Sequence, residues 1–224
     1  IVSTWIQSNM AKNVKKRKPP IFKYAMEEYV GELKLPIDSD IIDYKELTEK
    51  FLQNKEDFRI VFDTCVFKKT TINHNVFIRS EFIDCKFIDC DLSNNEFRSS
   101  TFIRCEFINT RLTGSHFVEC FLSHILIEKS HCSLVDFADC KMELCEFTDS
   151  LLNEANFFEN KIKNLQFKNL KLEKASFYLT PLKGVDLSTS DIYSIKTDLK
   201  SIKGAVISSF QAREVCHLLG INII

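Results

Sequence analysis

Glycine is scarce in this chain, with five in 224 residues, and there is a single tryptophan. No glycine-rich phosphate loop, no His-Glu-x-x-His pair and no Ser/His/Asp arrangement occurs, so the common signatures of nucleotide, zinc-hydrolase and acyl-transfer chemistry are missing. No stretch approaches the ~18 apolar residues needed to cross a bilayer. The N-terminus lacks the basic, apolar, small-residue order of a secretory leader. A net charge of −1 argues for no partner by itself. These absences point to a soluble, cytoplasmic, non-enzymatic protein of one or two domains, with no cofactor, no metal, no membrane contact and no direct nucleic-acid binding expected.

Phenylalanine, by contrast, is abundant at 20 residues. Written in fives from Ile60, the sequence reads IVFDT CVFKK TTINH NVFIR SEFID CKFID and runs unbroken to AVISS at 205–209. The third column holds 30 residues from Phe62 to Ile207, and 28 are large and apolar. Fourteen are Phe: Phe62, Phe67, Phe77, Phe82, Phe87, Phe97, Phe102, Phe107, Phe117, Phe137, Phe147, Phe157, Phe167 and Phe177. Cys132 and Thr197 are the exceptions. A period of five fits neither the 3.6 of a helix nor the 2.0 of a strand, so the chain must turn a corner in every unit. The first column is mostly small or apolar (Cys65, Thr70, Ser80, Cys85, Ala155, Val185), while Asn75, Asn95, Asn160 and Lys200 depart from that rule. One large and one small inward side chain per unit would fill a narrow tube, and the other columns must face water.

This pattern resembles the pentapeptide-repeat family, A(D/N)LXX with Phe or Leu at the centre, over about two-thirds of the chain. The resemblance implies an all-β, right-handed quadrilateral β-helix with four units per coil. The expected organisation is a flexible tail over 1–20, a short helical N-terminal arm or cap over 21–57, the β-helix over 58–207, and a C-terminal capping helix with a dimerisation strand over 208–224. Phe107 is expected to stack between like rings above and below.

In the arm, Asp40 or Asp43 can cap a helix over 43–55 with Leu47, Phe51 and Leu52 on one face, and Ile21–Leu33 reads as a short helix. A basic run (Lys12, Lys15, Lys16, Arg17, Lys18) ends at Pro19-Pro20 and reads as a solvated tail or, less directly, a nucleic-acid contact. At the other end, Ser208 or Ser209 can cap a helix that Gly220 stops. Phe210, Leu218, Leu219, Ile221 and Ile223 exceed what one narrow end can bury, which fits a cap that also dimerises.

Seven of nine cysteines fall in the first column: Cys65, Cys85, Cys90, Cys105, Cys120, Cys140 and Cys145. They read as small buried hydrophobes rather than zinc ligands, whose C-x2–4-C spacing they lack. His74, His116, His124, His131 and His217 share no motif. Charge is distributed unevenly: 81–159 holds 15 acidic and 6 basic residues, a balance of −9, and 160–207 holds 4 acidic and 9 basic, a balance of +5. Glu96, Glu119, Asp136, Asp139 and Glu159 fall on one face of a four-sided coil. Solvation and imitation of a polyanion both account for that face. Outward apolar residues form stripes (Ile78 with Val118 and Phe158; Ile83 with Ile103; Ile88 with Ile108), for which the chain's own N-terminal arm is the simplest cover. Phe121, Leu126 and Leu134 add an irregular patch.

The segments GVDLSTSDI (184–192), KGAVISSFQA (203–212) and LLGINII (218–224) resemble the end of Qnr-type quinolone-resistance pentapeptide proteins. The unbroken frame is similar to the Gram-positive and mycobacterial members. That resemblance implies a homodimer formed through the C-terminus, a pair of rods that imitates duplex DNA, and DNA gyrase or topoisomerase IV as partner. A scaffolding rod that binds another protein through its faces is the alternative.

Overall fold

A computed structural model describes residues 16–35, 41–218 and 220–221 of the chain. The expectations for residues 1–15, which include Lys12 and Lys15, lie outside the described residues, as do those for Leu219 and Ile223.

Most pentapeptides contribute either one short strand centred on the third-column residue or one bridge at the second-column residue, and four units close one coil. All pairings within the rod are parallel with an offset of 20 residues, as in Phe62↔Phe82↔Phe102 and Phe77↔Phe97↔Phe117. The first face is a seven-stranded sheet from Ile41–Asp43 to Lys161–Lys163. The second runs from Lys45–Thr48 to Gln166–Lys168. The third and fourth faces begin as paired strands and continue as single bridges such as Arg111↔His131 and Asp136↔Asn156. No five-residue unit is interrupted between Ile41 and Ile207.

The fourteen third-column phenylalanines are all buried, and so are Cys132 and Thr197. Rings stack up three of the four faces at offset-stacking distances: Phe82 and Phe102 at 4.6 Å, Phe67 and Phe87 at 4.6 Å, Phe157 and Phe177 at 4.8 Å. Edge-on contacts join neighbouring faces, as between Phe97 and Phe102 at 5.3 Å. Phe107 departs from the expected stack. It lies on Phe87 at 4.9 Å, but its neighbour in the next coil is Ile127, because that unit carries Ile at its centre.

The corners explain how so few glycines suffice. The fifth column takes left-handed φ at nearly every turn, from Tyr44 at 49° to Leu179 at 58°. Asn and Asp, which tolerate this region best among residues with a Cβ, recur there, and Thr64 is the only β-branched residue among them. The strain at each corner is offset by a ladder bond such as Thr64 N–H to Ile83 O at 2.8 Å.

The N-terminal region corrects the sequence reading. Residues 43–55 hold no helix. Ile41–Asp43, Lys45–Thr48, Phe51–Gln53 and Glu56–Phe58 are the strands of the first coil. The five-residue frame therefore begins at Ile42, with Leu47 and Leu52 buried and Phe51 60% exposed. The spacing of 47 and 51 mimicked a helix, and Lys45, Lys50 and Lys55 in the first column concealed the repeat. Nor is 21–33 helical. That segment is extended, pairs Glu27–Glu28 with Lys45 and Glu46, and seats Leu33 on the core at the end of the rod.

At the C-terminal end, Asp198 caps a short helix, α1 (Leu199–Ile202), by accepting from the backbone N–H of Lys200 at 3.0 Å and Ser201 at 2.8 Å. These bonds, led by the Ser201 hydroxyl, pull its carboxyl down to about 2. A 3-10 turn (Ser209–Gln211) leads into α2 (Ala212–Leu218). Gln211 plugs the last full coil: its Nε2 donates to Leu187 O at 2.8 Å and Ser190 O at 2.6 Å. The helix stops as expected at Gly220 (φ 69°), with Gly220 N–H on His217 O and Ile221 N–H on Cys216 O, the paired bonds of a Schellman motif.

Candidate partner face

First- and third-column side chains fill the interior of the described coils, and their polar groups are engaged in holding coil to coil. The ladder does not reach many of the third-column carbonyls. A first-column side chain in the next coil donates to them: Thr70 to Leu47 O at 2.9 Å, Ser115 to Leu92 O at 2.6 Å, Asn160 to Phe137 O at 2.7 Å. The oxygens of those first-column side chains accept the backbone N–H one coil below, as Ser100 Oγ does from Ser80 at 3.0 Å and Asn160 Oδ1 from Cys140 at 2.7 Å. The thiols join this scheme. Cys140 Sγ donates to Phe117 O at 2.8 Å and Cys105 Sγ to Phe82 O at 3.2 Å. The first-column cysteines are thus weak donors as well as space-fillers. Burial pushes the thiols of Cys90 to about 11 and Cys145 to about 12, so they stay protonated and inert. The same scheme accounts for Asn75, Asn95 and Asn160. Lys200 is exposed in α1. No cluster of three or more His, Cys, Asp or Glu able to hold a metal occurs among the described residues. No helix among them is long and apolar enough to cross a membrane.

The structure places all five expected carboxylates on the fourth face. Glu96 and Asp136 occupy its second column, and Glu119, Asp139 and Glu159 its fifth. They are not equivalent. Glu96 is held by Arg98 at 2.5 Å. Asp136 accepts from Asn156 Nδ2 at 2.8 Å and lies 3.5 Å from His116 Nδ1. Glu119 accepts from Ser99 Oγ at 2.7 Å. Asp139 and Glu159 are exposed without an ion pair among the described residues. Consecutive coils carry Glu119, Asp139 and Glu159, so these carboxylates repeat at a rise of about 4.8 Å.

Beside them runs the fourth column: Ile78, Val118 and Phe158, half-buried, interrupted by Arg98 and followed by Tyr178 at 44% exposed. The described part of the N-terminal arm, residues 16–35, does not lie on this stripe. It lies on the corner between the first and second faces, against Asp84, Glu106 and His124. Phe121, Leu126 and Leu134 belong to three different faces and form no patch; Lys141 Nζ sits 4.9 Å from the Phe121 ring. His116, His124 and His131 are likewise on different faces. At the C-terminus, Phe210 is 93% exposed and Ile221 is exposed, while Leu218 packs on the core.

Such a rod, with a repeating convex surface and, among the described residues, no cleft that gathers reactive groups, is a four-sided parallel β-solenoid built on a five-residue period. Residues 80–157 match the family described as a pentapeptide repeat region. No curated protein matches the chain. Among solved structures, a trypsin-treated variant of QnrB1, a plasmid-mediated fluoroquinolone resistance protein, is 19% identical with a TM-score of 0.45, covering 82% of this chain and 98% of that one. Full-length QnrB1 is 19% identical with a TM-score of 0.39, covering 79% and 100%. HetL, a pentapeptide repeat protein involved in heterocyst differentiation regulation in the cyanobacterium Nostoc sp. strain PCC 7120, is 12% identical with a TM-score of 0.39, covering 75% and 91%.

Proposed function

We propose that this rod is a non-enzymatic, DNA-mimicking protein that binds DNA gyrase or topoisomerase IV and modulates or protects them against quinolones. The observation that carries the reading is the column of Glu119, Asp139 and Glu159, outward and one coil apart on a rigid face. The C-terminal likeness to Qnr-type sequences supplies the choice of target. Duplex DNA carries one charge per ~1.7 Å of axis, far denser than this column, so the imitation rests on rod shape plus spaced carboxylates. Association with a basic saddle should weaken as salt rises, since exposed charges are screened within about 10 Å at 0.1 M ionic strength. Replacing Glu119, Asp136 and Asp139 together by Lys should abolish protection in a gyrase supercoiling assay with ciprofloxacin while leaving the circular dichroism native. Wild-type protein that alters neither supercoiling nor quinolone-induced cleavage at micromolar concentration would overturn the reading. The apolar column through Val118, Phe158 and Tyr178 favours, as a second reading, a scaffold bound to another protein.

The assembly proposed is a homodimer through 208–224. Phe210 and Ile221 stand clear of the rod and would be covered by a second copy. Light scattering at micromolar concentration should return twice the 26.0 kDa chain mass, and a monomer there rules the dimer out.

A further inference from the structure

The proposed function leaves one motif unused: the basic run ending in Pro19-Pro20. Its last residues are not free in solvent. Arg17 lies against the rod, its side chain 15% exposed, and pairs with Glu106 at 2.9 Å. Glu106 is itself buried (7% exposed side chain) and shared with Lys86 at 2.9 Å. The backbone N–H of Lys18 donates to His124 Nδ1 at 2.9 Å, and that of Ile21 to Asp84 Oδ1 at 2.8 Å. Asp84 is oriented by Arg104, which donates to both its oxygens at 2.6 Å. Pro20 is buried between these contacts.

The spacing is matched on both sides. His124 and Asp84 occupy the same column two coils apart, a rise of about 9.6 Å at sheet spacing. Three residues from Lys18 to Ile21 in polyproline conformation advance about 9.3 Å. The two prolines between them hold the segment extended and carry no N–H that would be buried unpaired. Rod and arm therefore share one ruler, and the arm's only backbone donors in this stretch meet the two side chains placed to accept them.

We propose that the corner between the first and second faces is a peptide-binding groove for an extended Arg-Lys-Pro-Pro segment, that the chain's own residues 16–21 occupy it reversibly, and that protonation of His124 releases them. The hydrogen bond from Lys18 needs a lone pair on His124 Nδ1, which the imidazolium lacks. The charged groups facing His124 are Arg17 and Lys18 of the arm and Arg104 and Glu143 of the rod; three of the four are cations. Burial first, then Lys18, Arg104 and Arg17, lower its pKa, with Glu143 opposing. A released arm returns His124 toward its ordinary value of about 6.5, so docking is at full strength above that pH and weakens as pH falls below it.

Hydrogen exchange of the Lys18 and Ile21 amides in the full chain tests this. At pH 8 both should exchange at least about tenfold more slowly than in a free peptide, about the size of one intramolecular hydrogen bond. Corrected for intrinsic rate, that protection should be lost at pH 5.5. His124→Gln, whose amide oxygen accepts at either pH, should keep Lys18 protected at both. Arg17→Ala should lose protection at both. A labelled peptide of residues 12–24 should bind the Arg17→Ala chain at pH 8 and not the wild type, whose own arm competes at millimolar effective concentration. Equal protection at pH 8 and 5.5 in the wild type, or pH-dependent release that persists in His124→Gln, overturns the gate. A peptide that binds both chains alike, or neither, overturns the groove.

Discussion

Phe102→Ala is expected to destabilise the rod by about 3–5 kcal/mol, the range for truncating a large core aromatic. The ring is 1% exposed and touches four others: stacked on Phe82 at 4.6 Å, edge-on to Phe97 at 5.3 Å and Phe117 at 5.4 Å, and tilted against Phe107 at 6.2 Å. The cavity cannot collapse, because each neighbour is held by its own coil at a fixed rise. Phe107→Ala belongs lower in the same range, since one of its stacking partners is Ile127. Urea denaturation followed by circular dichroism measures both. A loss under about 1 kcal/mol for Phe102→Ala would show that the ring is not inside.

Asn95→Leu should cost about 3 kcal/mol or more, although it is nearly volume-conserving and adds apolar surface to an apolar core. The fully buried Asn95 amide donates to Ile72 O at 2.6 Å and Leu92 O at 2.8 Å, and its oxygen accepts from Asn75 N–H at 2.9 Å. Ser115 still donates to Leu92 O, so that carbonyl keeps a partner. Ile72 O and the Asn75 N–H lose theirs, at about 1–3 kcal/mol for each buried group left unpaired. A neutral or stabilising outcome in the same urea assay would mean that side-chain shape, not hydrogen bonding, governs the first column.

The third column was readable from Phe62 onward because apolar volume is the one property its residues share. The first column was only half readable. Its smallness was plain from Cys65 or Ala155, but its role as a donor follows from carbonyl positions that no residue count reveals. The first coil was misread because charge replaced smallness at Lys45, Lys50 and Lys55, and Leu47–Phe51 supplied a chance helical spacing. The acidic residues of the fourth face followed from the period alone. Which of them are neutralised did not, since the partners of Asp136 come from the coils on either side, twenty residues away. The arm was the least legible: the residues that receive Arg17, Lys18 and Ile21 lie 63 to 106 positions further on.

The three first-column lysines of the first coil have a further consequence. A parallel solenoid of constant rise is, in geometry, a segment of filament, and nothing in the repeat itself tells one rod from the next. A second rod stacked beneath this end would have to enclose Lys45, Lys50 and Lys55 where the later coils, up to α1, enclose a thiol, hydroxyl, amide or apolar group. Burying three ammonium groups costs far more than the added ladder bonds would return. Two of them have found other company instead: Lys45 pairs with Glu27, and Lys50 donates to Gly31 O at 3.0 Å. The same substitutions that hid the first coil from a reader of the sequence give the rod a start, and so hold a polymerisable architecture to a finite length.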